Sequence, residues 1–174
     1  MKTISKDEVN KYLNCRKNRG LHIDSRLMDA IKKDKCFYLI ELNDEESFLS
    51  LIWHEIDASR LLTPKGESRC LQDVANRFNK RNYTFEKLSE SMNLSANQHD
   101  PHWFEACIPI NNNFEYENFG WIVIQEANEN EMKQSPCGTF YIYDGAHKSL
   151  VLATKLKEKE IEYKKIEALL IPRS

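Results

Sequence analysis

Residues 139–171 restrict the fold most, because a strand pattern, a tight turn, a helix pattern and a second strand pattern follow one another without a break. Thr139 to Tyr143 (Thr-Phe-Tyr-Ile-Tyr) has the β-branched and aromatic composition of a half-buried strand. Asp144-Gly145 ends it. Ala146 to about Lys159 reads as a helix with Leu150, Val151 and Thr154 on one side, and Ile166 to Ile171 is an apolar run of strand length. Such a unit requires a sheet with a helix laid against it. The expected fold class is therefore α+β, a mixed sheet flanked by helices in one compact domain.

Upstream, Ser5 followed by Glu8 is a capping-box pattern, and Val9, Tyr12 and Leu13 continue it at helical spacing. A second helix is expected over 25–34 with Asp24 as its cap, then a strand from Cys36 to Leu42, after which Asn43 caps or turns into an acidic stretch. Further strands are expected at 51–56, ending at Ile110, and around 121–125, with Asn111-Asn112-Asn113 as a turn between the last two. Leu71, Val74, Ala75 and Phe78 fall at i, i+3, i+4 and i+7, the clearest amphipathic stripe in the chain, with Ser68 as a candidate cap. A short helix is expected from Thr84, and a polar loop over 93–102.

Charge narrows the functional classes. With 27 acidic and 25 basic residues the 174-residue chain carries a net charge of -2, and no run of five Lys or Arg occurs. Nucleic acid held by bulk electrostatics is thus not an expected partner. No apolar run approaches the roughly 18 residues of a membrane span, and the charged N-terminus does not read as a signal peptide. The five cysteines stand singly at 15, 36, 70, 107 and 137, so neither a zinc cage nor a closed disulfide set is expected. Reduced thiols and a cytoplasmic location follow as the expectation.

Chemistry concentrates in the turn Asp144-Gly145-Ala146-His147-Lys148-Ser149. The first turn of a helix has backbone N–H groups without intrahelical partners and a partial positive charge, so an anion is stabilised there before any side chain contributes. Gly145 permits a backbone shape or a close approach that a Cβ blocks. His147 and Lys148 add cationic or hydrogen-bonding arms, and Asp144 can hold a magnesium ion or orient a hydroxyl. The plainer reading makes Asp144 a helix cap, Gly145 a turn residue, and His147 and Lys148 solvated.

The sequence Asp-Gly-Ala-His-Lys between a strand and a helix resembles the Asp-Gly-x-His-Arg signature of the ParB/sulfiredoxin-like superfamily, with Lys148 in place of the usual arginine. Ile56 to Pro64 (Ile-Asp-Ala-Ser-Arg-Leu-Leu-Thr-Pro) is similar to the entry segment of such domains. The resemblance covers roughly residues 51–172, and a domain over 51–174 with a helical N-terminal extension over 1–50 is what it implies. It further implies ATP or another nucleotide as ligand, with phosphates on Gly145, Ala146, His147, Lys148 and Ser149, and magnesium at Asp144. A lysine supplies only a point charge where arginine makes a bidentate clamp. Ala146 stands where sulfiredoxins place their reactive cysteine, which disfavours sulfinic-acid repair.

In the small-molecule kinases of this superfamily an acidic residue shortly after the Leu-x-Pro segment acts as base. Glu67, three residues beyond Pro64, is the nearest match and, with Asp144, completes the candidate catalytic pair. Its alternative is an acid complementing a helix dipole. The resemblance implies a nucleotide-dependent phosphotransferase acting on a small hydroxylated metabolite. A non-catalytic nucleotide-binding switch or a protein-interaction module stands beside it. His99-Asp100-Pro101-His102 and His54 are weaker ligand candidates, and Trp103, Trp121, Tyr141 and Tyr143 are either core or base-stacking residues.

Overall fold

Burial along the terminal strand alternates between two faces, and that alternation organises the molecule. A computed structural model describes residues 1–18, 25–33, 36–53, 61–94 and 103–171. In β5 (Ile166–Ile171), Ile166, Ala168 and Leu170 enter one apolar cluster while Leu169 and Ile171 enter another on the opposite face. A central strand buried on both sides must be covered on both sides.

The sheet has five strands in the order β1-β2-β5-β3-β4, with β1 (Lys2–Ile4), β2 (Phe37–Leu42), β3 (Ile122–Glu126) and β4 (Phe140–Asp144). Among the paired strands of the described residues, β3–β5 is parallel and the other three pairs are antiparallel, so the sheet is mixed. The smaller cluster is closed by α1 (Lys6–Asn18) and α2 (Ser25–Lys32) through Val9, Leu13 and Ile31. The larger one is closed by α3 (Glu45–Leu49), α4 (Leu71–Lys80), α5 (Phe85–Leu94), α6 (Cys107–Asn112) and α8 (Ala146–Lys157), with α4 packed extensively on α8. A short helix α7 (Glu129–Gln134) joins β3 to β4. The first fifty residues therefore supply two strands of the common sheet as well as helices, and β2 pairs directly with β5.

Local chemistry explains the element starts. The Ser5 hydroxyl accepts from the Glu8 N–H at 3.2 Å, and the Glu8 carboxylate accepts from the Ser5 N–H at 2.9 Å, the reciprocal bonds of a capping box. Asp44, rather than Asn43, caps α3 by accepting from the Ser47 N–H at 2.7 Å. The stripe of Leu71, Val74, Ala75 and Phe78 is buried as its spacing requires.

Four expectations change. Residues 107–110 belong to helix α6, not a strand. Pro109 sits in its first turn, where a missing N–H costs nothing, and the Asn113 side chain donates to the Pro109 carbonyl at 3.1 Å to close the other end. The strand expected over 51–56 is reduced, within the described residues, to bridges at Ile52 with Cys70 and Tyr141. Ser68 does not cap α4: the Arg69 carbonyl accepts from Trp53 N–H at 2.7 Å and Leu71 N–H donates to Leu51 at 2.9 Å, holding the chain extended until Cys70. Finally, Cys70 and Cys137 are joined in a disulfide across 67 positions, a proximity that single spaced cysteines do not announce. Asp24, His54, the His99–His102 stretch and most of the 93–102 loop lie outside the described residues.

Candidate functional site

Gly145 is the hinge of the candidate site. It lies at φ 90°, in the left-handed region, and is the N-cap of α8 directly after β4. A Cβ there would stand 2.9 Å from Lys148 Cε and 3.1 Å from Ile122 Cγ2, so glycine answers both the conformation and the packing. With no side chain at the cap, the first turn of this twelve-residue helix has no side-chain cap bond. The Gly145 N–H itself donates to Asp144 Oδ1 at 2.7 Å, which fixes the half-buried carboxylate beside the turn.

Two tryptophans wall the turn. Trp53 is fully buried and donates through Nε1 to the Ala146 carbonyl at 3.2 Å. Trp103 packs edge-on against Trp53, with centroids 5.2 Å apart, and stacks on the His147 imidazole at 4.0 Å and 28°. Trp103 is thus committed to the protein, as the core reading of the aromatics had it. Trp121 is likewise engaged: it stacks on Tyr12 at 4.6 Å and donates through Nε1 to Glu167 at 2.8 Å.

Lys148 takes a direction that its place in the motif does not reveal. Its ammonium donates to the carbonyls of Phe119 and Trp121 and lies 4.9 Å from the Phe119 ring centre. The Trp121 carbonyl also accepts from Tyr12 Oη at 2.8 Å, so α1, the entry to β3 and the start of α8 meet at one oxygen. Ser149 is fully buried, and its hydroxyl has no hydrogen-bond partner among the described residues. A buried polar atom left without a partner costs free energy, of order 1–3 kcal/mol.

Glu67 reaches its position by a separate route. The chain pairs antiparallel with 51–53 around Cys70, and Ile52 pairs in parallel with Tyr141 of β4, while Glu67 closes a turn by donating its N–H to the Pro64 carbonyl at 3.0 Å. The exposed Glu67 carboxylate meets Arg77 Nη1 at 3.5 Å. Arg77 is further held by donation from Nε and Nη2 to the carbonyls of Leu62 and Ser68. Burial draws the guanidinium pKa down, and the Glu67 and Asp73 carboxylates act against that.

The six consecutive residues 144–149 are therefore one structural unit at the β4–α8 junction, whereas the side-chain contact of Glu67 is with Arg77 of α4. The tryptophan wall was visible in the sequence only as aromatic content, because its partners are distant in the chain. A shallow depression of about 370 Å³ lined by Met1, Lys2, Leu39, Ile40, Glu41, Asn43 and Glu167 lies at the β1–β2–β5 side, away from this turn. Among the described residues no helix is long and apolar enough to cross a membrane. Comparison with protein-family models, with curated proteins and with solved structures finds no match for this chain.

Proposed function

We propose that the chain binds a nucleotide with its phosphates against the first turn of α8, and transfers a phosphoryl group to a small hydroxylated metabolite. The observation that carries this reading is Gly145: a left-handed, side-chain-free N-cap at the end of a strand, opening a twelve-residue helix. The proposal takes 51–174 as a ParB/sulfiredoxin-like unit whose sheet is completed by β1 and β2. It rests on the resemblance of the turn for the identity of the ligand.

The residues fit such a ligand in part. The N–H groups at Ala146 and His147, and the imidazole of His147, are the groups that would receive a phosphate, and the unpartnered Ser149 hydroxyl lies on the same turn. Asp144 offers one carboxylate, in keeping with magnesium sites that combine few protein oxygens with phosphate and water. ATP and magnesium, when bound, supply the transferable phosphoryl group and neutralise its charge. Glu67 would accept the proton of the acceptor hydroxyl. Lys148, turned to the carbonyls of Phe119 and Trp121, organises the turn.

A second reading, nucleotide binding without transfer, is favoured by the Glu67–Arg77 ion pair, which occupies the candidate base. One experiment separates them. Incubation with magnesium, ATP or CTP and a metabolite pool, followed by mass spectrometry, yields a new phosphorylated species under the first reading. Nucleotide binding without product selects the second, and no binding of either nucleotide removes both.

A further inference from the structure

We propose that Cys70, Asp73 and Cys137 form a redox-gated site for a thiophilic divalent cation of the zinc class. Cys70 is the N-cap of the ten-residue helix α4 and Asp73 lies three residues on, with its N–H donating to the Cys70 carbonyl at 2.9 Å. Residues at i and i+3 share a helix face, so both side chains point the same way. Cys137 arrives at that face from the segment preceding β4. One ligand atom from each of the three residues lies within 4.8 Å of the other two, an envelope that admits sulfurs about 3.8 Å apart around an ion with bonds of about 2.3 Å.

Burial grades outward across the site. Cys70 is buried, Asp73 half-buried and Cys137 exposed, which leaves a solvent path to the sulfurs. The disulfide is not alone in holding the two segments together. The Ser135 hydroxyl accepts from the Arg69 N–H at 2.8 Å, and Ile52 N–H donates to the Phe140 carbonyl at 2.9 Å. Gly138 packs so closely on the Ser50 carbonyl and Ile52 that a Cβ would not fit. These contacts flank Cys70 and Cys137 on both sides, so the three ligands stay together after the sulfur–sulfur bond opens.

In the structure the two sulfurs are bonded to each other and cannot ligate. Two thiol molecules reduce the bond: each gives one electron and one proton, leaving Cys70 and Cys137 as thiols and the reductant as its own disulfide. A divalent cation then displaces both thiol protons to solvent and binds two thiolates and the Asp73 carboxylate. Without the cation, two thiolates and a carboxylate at this separation repel one another, which the α4 N-terminus offsets only in part. Two sulfur donors select a thiophilic ion over magnesium or calcium, and three protein ligands leave a fourth tetrahedral position for water.

The test uses Co²⁺ as probe on the full chain, reduced and then freed of reductant without oxygen. The expected result is about one Co²⁺ per chain with thiolate-to-metal charge-transfer absorption, displaced by Zn²⁺ and absent from the disulfide form. Cys137→Ser removes the absorption, and Asp73→Asn weakens affinity at least about tenfold. Replacing the exposed Cys36 leaves both unchanged. Asp73→Asn tests the site without disturbing a buried residue. No cobalt absorption in the reduced chain overturns the proposal, as does absorption that survives Cys137→Ser or affinity that ignores Asp73→Asn.

Discussion

The imidazole of His147 stacks on the indole of Trp103, with ring centres 4.0 Å apart, and Trp103 in turn meets Trp53, whose indole N–H is bonded to the Ala146 carbonyl. The candidate ligand residue and the wall behind it are thus one packed assembly. Two substitutions separate these roles. His147→Ala should cost about 1 kcal/mol of stability from the lost stack and abolish nucleotide binding. His147→Phe should keep the stack and the stability while still losing the ligand. Calorimetric titration with ATP, paired with urea denaturation, reads both, and ATP affinity retained in the phenylalanine variant would remove His147 from the site.

Glu67→Gln should leave nucleotide affinity unchanged and eliminate phosphoryl transfer. Stability should move by less than about 1 kcal/mol, since the carboxylate is exposed and ion pairs of that kind are weak. Product formation at an undiminished rate would place the base elsewhere.

Gly145→Ala should destabilise the fold by about 2 kcal/mol, because a left-handed alanine is strained and its Cβ presses on Ile122, which is buried within the sheet. Gly66 makes a useful comparison. It has a similar φ of 86° but nothing within 4 Å of its added Cβ, so Gly66→Ala should cost only the backbone strain. Equal losses in urea denaturation would show that packing at the α8 cap is slack.

Reduction of Cys70–Cys137 should lower stability by roughly 2–4 kcal/mol, as expected from releasing a loop of 67 residues in the unfolded chain. The buried Cys107 should not compete for the same reagents, since burial pushes its thiol pKa up and keeps it protonated. Denaturation with and without a thiol reductant measures the difference. A transition unchanged by reduction would mean that flanking contacts alone carry the junction.

Two capping carboxylates give the stability a defined acid limb. Hydrogen bonds from the Ser47 N–H and then its hydroxyl hold Asp44 below its ordinary pKa, and the Ser5 N–H and hydroxyl do the same for Glu8. Both folded values lie below the unfolded ones. Their contribution is therefore complete above the unfolded carboxylate range, at about pH 5 and higher, and is lost as the pH falls through the lowered values. Asp44→Asn and Glu8→Gln should each flatten thermal stability measured across pH 2–5, a range set by about those carboxylate values. An unchanged acid slope would assign it to other groups.

Interactions confined to a few neighbouring residues were open to inspection in the chain itself. The Ser5–Glu8 box, the α4 stripe, the apolar run of β5 and the Asp144-Gly145 turn all involve neighbouring residues or a simple period, and each matches the folded element. Residues 107–110 misled because cysteine and isoleucine suit a strand, whereas Pro109 is better tolerated in a helix's first turn, and the segment packs on α8 as a helix. Lys148 and Trp103 show a different limit. Their identities were plain, but whether lysine faces a ligand or the Phe119 and Trp121 carbonyls depends on a segment nearly thirty positions earlier. The same holds for Cys70, which meets Cys137 across 67 positions only because Ile52 runs between β4 and the entry to α4. Period and capping are written into adjacent residues. The partner of a given charge, ring or thiol is set by which strands pair, and that follows from burying both faces of β5 at once.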